Sequence, residues 1–246
     1  MFWCAGMYAS GSTWAYNVMR GIAGTRGPVR GRFVNTLADT DGLDDPALQH
    51  VVKSHDMPAD VAARMRGLAK SIVVTIRDPR DAVTSLMLYQ HYPFEMALTT
   101  IANSARFVGA LTLHPGTLLL RYDTGFVDDP ATIGRLAKAL GIALRPGDLE
   151  DLFATSRRSQ VETWIANLEQ LPTAQRDARS GDIFDPETQW HGHHAGRTGE
   201  IGRWHRMLLP GQVTAVENAL AEWMRQFGYA QAAPYTLNVG SISFKR

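Results

Sequence analysis

In the first half of the chain, short apolar runs alternate with longer stretches whose apolar residues recur at helical spacing, the pattern of β-α units around a parallel sheet. MFWCAGM (1–7), RFVNT (32–36), QHVVKSH (49–55), SIVVTIR (71–77) and TLLLRYD (117–123) read as strands, each running out into polar residues. An open parallel sheet gathers ligands beyond its carboxyl edge, so those polar ends are where chemistry is expected. A helix over 12–20 follows the first strand. A second, within DDPATIGRLAKALGI (128–142), has Asp129 as cap, Pro130 in its first turn, an apolar face of Ile133, Leu136, Ala137 and Leu140, and Gly141 as its stop. GQVTAVENALAEWMRQFGY (211–229) reads as one closing amphipathic helix with Val213, Val216, Leu220, Trp223, Met224 and Phe227 on its core stripe. Between 159 and 196 the periodicity fades into polar residues with scattered Trp, Pro, Gly and His, which predicts a mobile lid that is helical at its start.

Composition narrows the class. A chain of 246 residues, 45% hydrophobic, is expected to form one domain over 1–246. A net charge of +1 offers no bulk attraction to nucleic acid or to an anionic membrane, so any bound anion must meet a local cluster. The lone Cys4 excludes an internal disulfide framework and suits a reducing compartment. The apolar N-terminus is short, broken by Gly6 and without a basic leader, so neither a signal peptide nor a membrane span is expected, and a cytoplasmic location is. Only four of the 25 basic residues are lysine, a bias that suggests a GC-rich bacterial genome.

Four clusters carry candidate chemistry. Gly6 and Gly11 in GMYASGSTW have the spacing of a phosphate loop between strand and helix, where backbone N–H groups and the helix N-terminus receive an anion, and Ser10, Ser12 and Thr13 add hydroxyls. Ser12 stands where a nucleotide kinase has its lysine, which weakens a magnesium-ATP reading. VVKSHD places Lys53 and His55 two apart at a strand end, on one face, as a cation beside a base; a surface lysine near a hydrogen-bonded histidine is the bland alternative. In IRDPRDAVTSL, Arg77 offers a bidentate anion grip and Ser85 a hydroxyl eight residues on, in a helix expected to start at Asp81, while Arg80 reads as part of a solvated salt-bridged turn. GRTGEIGRW is a second glycine-rich basic loop with Arg197, Thr198 and Gly199. The HGHH run at 191–194 sits in a polar stretch with no nearby cysteine and no strongly placed carboxylate, so no metal site is expected; these histidines read as an acceptor entrance or as exposed residues. Trp164, Trp190, Tyr92 and Phe94 are candidates for an apolar wall or for plain packing.

Taken in order along the whole chain, these segments resemble the sulfotransferases that use 3′-phosphoadenosine 5′-phosphosulfate (PAPS). Tyr8-Ala9-Ser10-Gly11-Ser12-Thr13-Trp14 is similar to the family's PKSGTTW loop, Lys53-Ser54-His55 to its K-T-H segment, and Arg77 with Ser85 to its 3′-phosphate pair. Tyr122 resembles the tyrosine near the adenine, Thr155 and Arg157 in FATSRR a Thr-Ser-Phe on the adenine side, and Arg197 to Trp204 the late R-K-G-x-x-G-D-W motif. The resemblance implies an α/β, P-loop-like fold with a central parallel sheet flanked by helices. It implies PAPS as co-substrate with no metal, Ser10, Gly11, Ser12, Thr13, Trp14, Arg77, Ser85, Tyr122, Thr155, Arg197, Thr198 and Gly199 as its binding residues, and His55 as base with Lys53 beside it.

The chain departs from the pattern at three positions: Ala9 and Thr198 stand where the family has lysine, and Arg203 where it has aspartate. Loss of the loop lysine removes a charge at the breaking bond, an effect on the order of 10²–10³ in rate, and Lys53 is the expected substitute. The expected partner is a small-molecule hydroxyl or amine acceptor, not nucleic acid or membrane. A small-molecule P-loop kinase, or a PAPS-binding protein without turnover, are the competing readings.

Overall fold

The computed structural model describes residues 1–178, 181–194 and 199–230. Five strands, β1 (Phe2–Gly6), β2 (Val29–Phe33), β3 (Gln49–Ser54), β4 (Ser71–Ile76) and β5 (Leu118–Arg121), form one parallel sheet in the order β2-β3-β1-β4-β5. Strand β1 lies in the middle, with Cys4 level with Lys53 on one side and with Val73 on the other. The chain leaves β1 toward β2 and β3, then crosses to β4, so the strand order reverses at β1 and a crevice opens above its carboxyl end.

Alternation within the strands sorts the core into two layers. Trp3 and Ala5 of β1, Val52, and Ile72, Val74 and Ile76 pack under α2 (Ala59–Leu68), α3 (Pro79–Tyr89) and α4 (Phe94–Leu111). Phe2, Cys4, Val51 and Val73 face the other way, against α1 (Ser12–Gly24) and α5 (Ala131–Leu140). Every residue of β1 and β4 is buried, as strands covered on both sides must be. Beyond α5 come α6 (Pro146–Ser156) and α7 (Arg158–Ala166), then a small antiparallel hairpin of β6 (Gln175–Arg176) and β7 (Ile183–Phe184), a single turn at Gly192–His194, and α8 (Trp204–Met207). No described helix is long and apolar enough to cross a membrane.

The expected elements are present with shifted bounds. β2 covers 29–33 rather than 32–36: at the sheet edge only one side is paired, and its polar Arg30 and Arg32 hide the strand from an apolar pattern. Helix α3 begins two residues before the expected Asp81, because Asp78 caps it, accepting from the Arg80 N–H, and Pro79 takes the first helical position. Asp129 does cap the turn into α5 through the Ala131 N–H at 2.9 Å. The closing helix is broken at Leu220 into α9 (Pro210–Ala219) and α10 (Ala221–Gln226), with Val216 and Trp223 both in the core as expected. The 159–196 stretch has more structure than a bare lid, holding most of α7, the hairpin and the 192–194 turn among its described residues.

Candidate active site

The loop from β1 to α1 is forced by its packing. A Cβ on Gly6 would overlap the side chains of Ser12 and Thr75, and Gly11, at φ 76°, faces the rings of Tyr122 and Phe126. Ala9 also lies at positive φ, 58°, a conformation that costs a non-glycine residue roughly 1–2 kcal/mol and is held by the surrounding contacts. Those contacts run through Ser10, which is fully buried: its Oγ lies 2.5 Å from the Met7 carbonyl oxygen and 2.6 Å from Thr75 Oγ1. The Ser10 hydroxyl is thus spent on the loop itself, contrary to the expectation that it donates to an anion. The first turn of α1 carries no side-chain cap at Gly11, so its early N–H groups face the crevice with the helix dipole behind them.

Lys53 comes up from β3 beneath this turn, 3% exposed, and donates to Thr13 Oγ1 at 2.8 Å. Burial lowers its pKa to about 8. One residue past the end of β3, His55 places Nδ1 2.7 Å from the Gly6 carbonyl oxygen. A carbonyl can only accept, so Nδ1 carries the proton and Nε2 keeps its lone pair. Tyr8 stacks on the ring at 4.1 Å, and Ser104 Oγ donates to the His55 carbonyl at 2.8 Å. Desolvation first, and the Lys53 charge second, hold the His55 pKa well below its usual value, so the ring is neutral at pH 7.

On the far side of β1, Arg77 is buried at the end of β4. It donates to the Glu200 carbonyl at 2.5 Å and to the Ala9 carbonyl at 3.3 Å, and lies 4.6 Å from the centre of the Tyr122 ring. Its Nε is buried and has no hydrogen-bond partner among the described residues. Asp81, 1% exposed, accepts from the Gly202 N–H at 2.7 Å and the Trp204 N–H at 3.0 Å, fastening the late glycine loop to the start of α3. Desolvation raises the Asp81 pKa, opposed by those donors and by Arg77. Arg80 is no solvated turn residue. It is 4% exposed, pairs with Asp78 at 2.6 Å and Glu217 at 2.7 Å, and lies 4.0 Å from the Trp204 ring centre, tying α3 to α9.

These residues share one cavity of about 810 Å³. Ser10, Gly11, Ser12, Thr13, Trp14, Lys53, His55, Arg77, Ser85, Tyr122 and Gly199 all line it. Thr155 does not: it is exposed, its hydroxyl returns to the carbonyls of Asp151 and Leu152 in its own helix, and it borders a second cavity of about 370 Å³ behind Trp14. Arg157 lines neither cavity, and its guanidinium lies 5.0 Å from the Phe153 ring centre. Arg197 and Thr198 fall outside the described residues. Of the candidate wall aromatics only Trp190 lines the main cavity; Tyr92 and Phe94 pack on the core and Trp164 borders the second cavity.

Sequence reading missed Tyr8, Phe33, Tyr89 and Phe184 as cavity residues, and Arg203, singled out there as a departure from the pattern, lines the cavity as well. Arg203 donates to the Tyr89 hydroxyl at 2.6 Å and pairs with Glu200 at 3.4 Å, so its charge is shared with a carboxylate. Tyr8 carried a signal: it adjoins the glycine loop, on the side of β1 where His55 emerges. The HGHH reading also needs correction, since the structure does supply a carboxylate. Asp182 Oδ2 lies 3.1 Å from His191 Nδ1 and 2.5 Å from His193 Nδ1, and all three histidines line the cavity.

No protein-family model matches the chain, and no curated protein sequence matches it. Solved structures do. Mouse sulfotransferase SULT7A1 complexed with PAP superposes with a TM-score of 0.63 at 14% identity, over 91% of this chain and 84% of that one. Retinol dehydratase in complex with androsterone and PAP gives 0.61 at 16%, over 91% and 80%, and its complex with retinol and PAP gives 0.58 at 14%, over 91% and 81%. With its central parallel sheet, flanking helices and glycine-cornered loop after β1, the chain has the P-loop-like α/β fold of the sulfotransferases.

Proposed function

We propose that this protein is a PAPS-dependent sulfotransferase that transfers a sulfuryl group to a hydroxyl or amine of a small-molecule acceptor. The observation that carries the reading is the meeting, in one cavity, of an uncapped helix N-terminus, the buried cation Lys53 and a neutral His55 whose Nδ1 is already committed. Backbone N–H groups of the loop with Ser12 and Thr13 hold the 5′-phosphosulfate. Arg77, with an unmatched Nε, and Ser85 hold the 3′-phosphate, and Trp14 and Tyr122 flank the adenine. PAP in the structures that share the fold supports the same ligand here.

In the reaction, the acceptor oxygen or nitrogen attacks sulfur in line while His55 Nε2 takes its proton. The bond from sulfur to the phosphate oxygen breaks, and adenosine 3′,5′-bisphosphate leaves with that electron pair. Lys53, one strand from Ala9, supplies the charge that the family lysine would, through the Thr13 hydroxyl or by direct contact. Sulfuryl transfer carries less charge than phosphoryl transfer, so fixed donors suffice for this step.

Calorimetric titration with adenosine 3′,5′-bisphosphate, then with magnesium-ATP, tests the nucleotide assignment. Micromolar bisphosphate affinity supports it, whereas ATP binding in its place returns the site to a kinase. Ala9 favours one rival, bisphosphate binding without turnover, which would appear as tight binding with no transfer to any acceptor tried.

A further inference from the structure

We propose that Asp182, His191 and His193 form a binding site for one divalent transition metal of the zinc class, which ties the 191–194 turn to the β6–β7 hairpin at the wall of the main cavity. One ligand atom from each residue lies within 4.8 Å of the others, a span that a single tetrahedral ion closes with small side-chain movements. Both imidazoles turn Nδ1 toward the same carboxylate oxygen. Two imidazoles and one carboxylate suit zinc, cobalt or nickel; calcium and magnesium call for oxygen ligands throughout.

The backbone is set for this before any ion arrives. Asp182 Oδ1 accepts from the His193 N–H at 3.1 Å, and His191 forms a β-bridge with Phe184, their rings stacked at 5.3 Å. His194 closes the turn by accepting the His191 N–H at its Nδ1, 3.2 Å away. Three protein ligands among the described residues would leave a fourth position for water, the arrangement of an exchangeable rather than a sealed site. Because His191 and His193 line the cavity that also holds His55, the ion would fix the shape of that wall without entering the transfer step. Only that last consequence rests on the sulfotransferase reading; the metal site does not.

The test is titration of the untagged, chelator-treated full chain with Co²⁺, followed by visible d–d absorption, and with Zn²⁺ by calorimetry. About one equivalent should bind at micromolar concentration. Asp182→Asn and His193→Gln should each weaken binding at least ~10-fold, while His114→Ala, on the exposed turn after α4, should not. In the unsubstituted protein, the ring signals of His191 and His193 should be the histidine resonances that Zn²⁺ shifts, which identifies the ligands even where a variant fails to fold. Absence of saturable binding to the unsubstituted protein, full affinity in a His191→Asn/His193→Gln double variant, or shifts confined to other histidines would each overturn the proposal. Metal binding in a protein that fails to bind the bisphosphate would leave this site standing and the sulfotransferase reading refuted.

Discussion

The floor of the cavity, made by the loop after β1 and the ends of β3 and β4, is buried and cross-tied, whereas the described residues of the facing wall from α7 to the 191–194 turn are more exposed and lean on side chains of α1. Ser10, Lys53 and Arg77 are 0%, 3% and 6% exposed, and each is bonded to a neighbouring strand, helix or loop. On the wall, Asp182 gathers His191 and His193, whose side chains remain about a quarter exposed. A fixed anion rewards preorganised donors, because no energy is then spent on reorienting them at the moment of reaction. A more exposed wall can vary in its side chains without disturbing that floor.

The sharpest way to break this contrast is to remove the base. His55→Ala should lower turnover about 10²–10⁴-fold while leaving bisphosphate affinity within about twofold, read from steady-state rates and calorimetry. Substantial residual turnover would exclude His55. Arg77→Lys comes next, because a lysine cannot reproduce a forked donor on phosphate: bisphosphate affinity should fall ~10–100-fold.

Titration sharpens the floor further. His55 is held below its ordinary pKa, so the acid limb of kcat/KM should lie below pH 6.5, where the imidazole finally gains a proton. Lys53, lowered to about 8, should lose its charge as pH rises through that value and produce an alkaline limb, with the rate falling about tenfold per unit above it. Lys53→Arg should abolish that limb, since a guanidinium stays charged. The smallest effect is expected at the wall: Trp190→Ala should raise the acceptor KM roughly tenfold and leave bisphosphate affinity unchanged. An equal loss of both would mean that floor and wall are one unit.

Much of the floor was legible because its residues hang on regular elements. A glycine pair between strand and helix, a lysine and histidine at a strand end, and an arginine closing a strand can each be read from local spacing, and the parallel sheet then brings the three strand ends together. Where the reading went astray, the side chain had been claimed by a neighbour that is distant in sequence or hidden from pattern. Ser10 is spent on Thr75, Arg80 on Glu217, and Thr155 on its own helix. α4 offered no chemical motif at all, and its Phe94, read as a wall candidate, went to the core.

From its own order the chain determined the alternation of strand and helix, the glycine-cornered loop after β1 and the placing of Lys53 and Arg77 at strand ends, since these follow from local sterics and periodicity. Only the tertiary structure decided that Asp81 anchors a loop 121 residues away and that Gly6 fixes the tautomer of a histidine 49 residues on. Such contacts depend on how whole elements pack, and packing answers to the volume and burial of every residue between them rather than to any spacing along the chain.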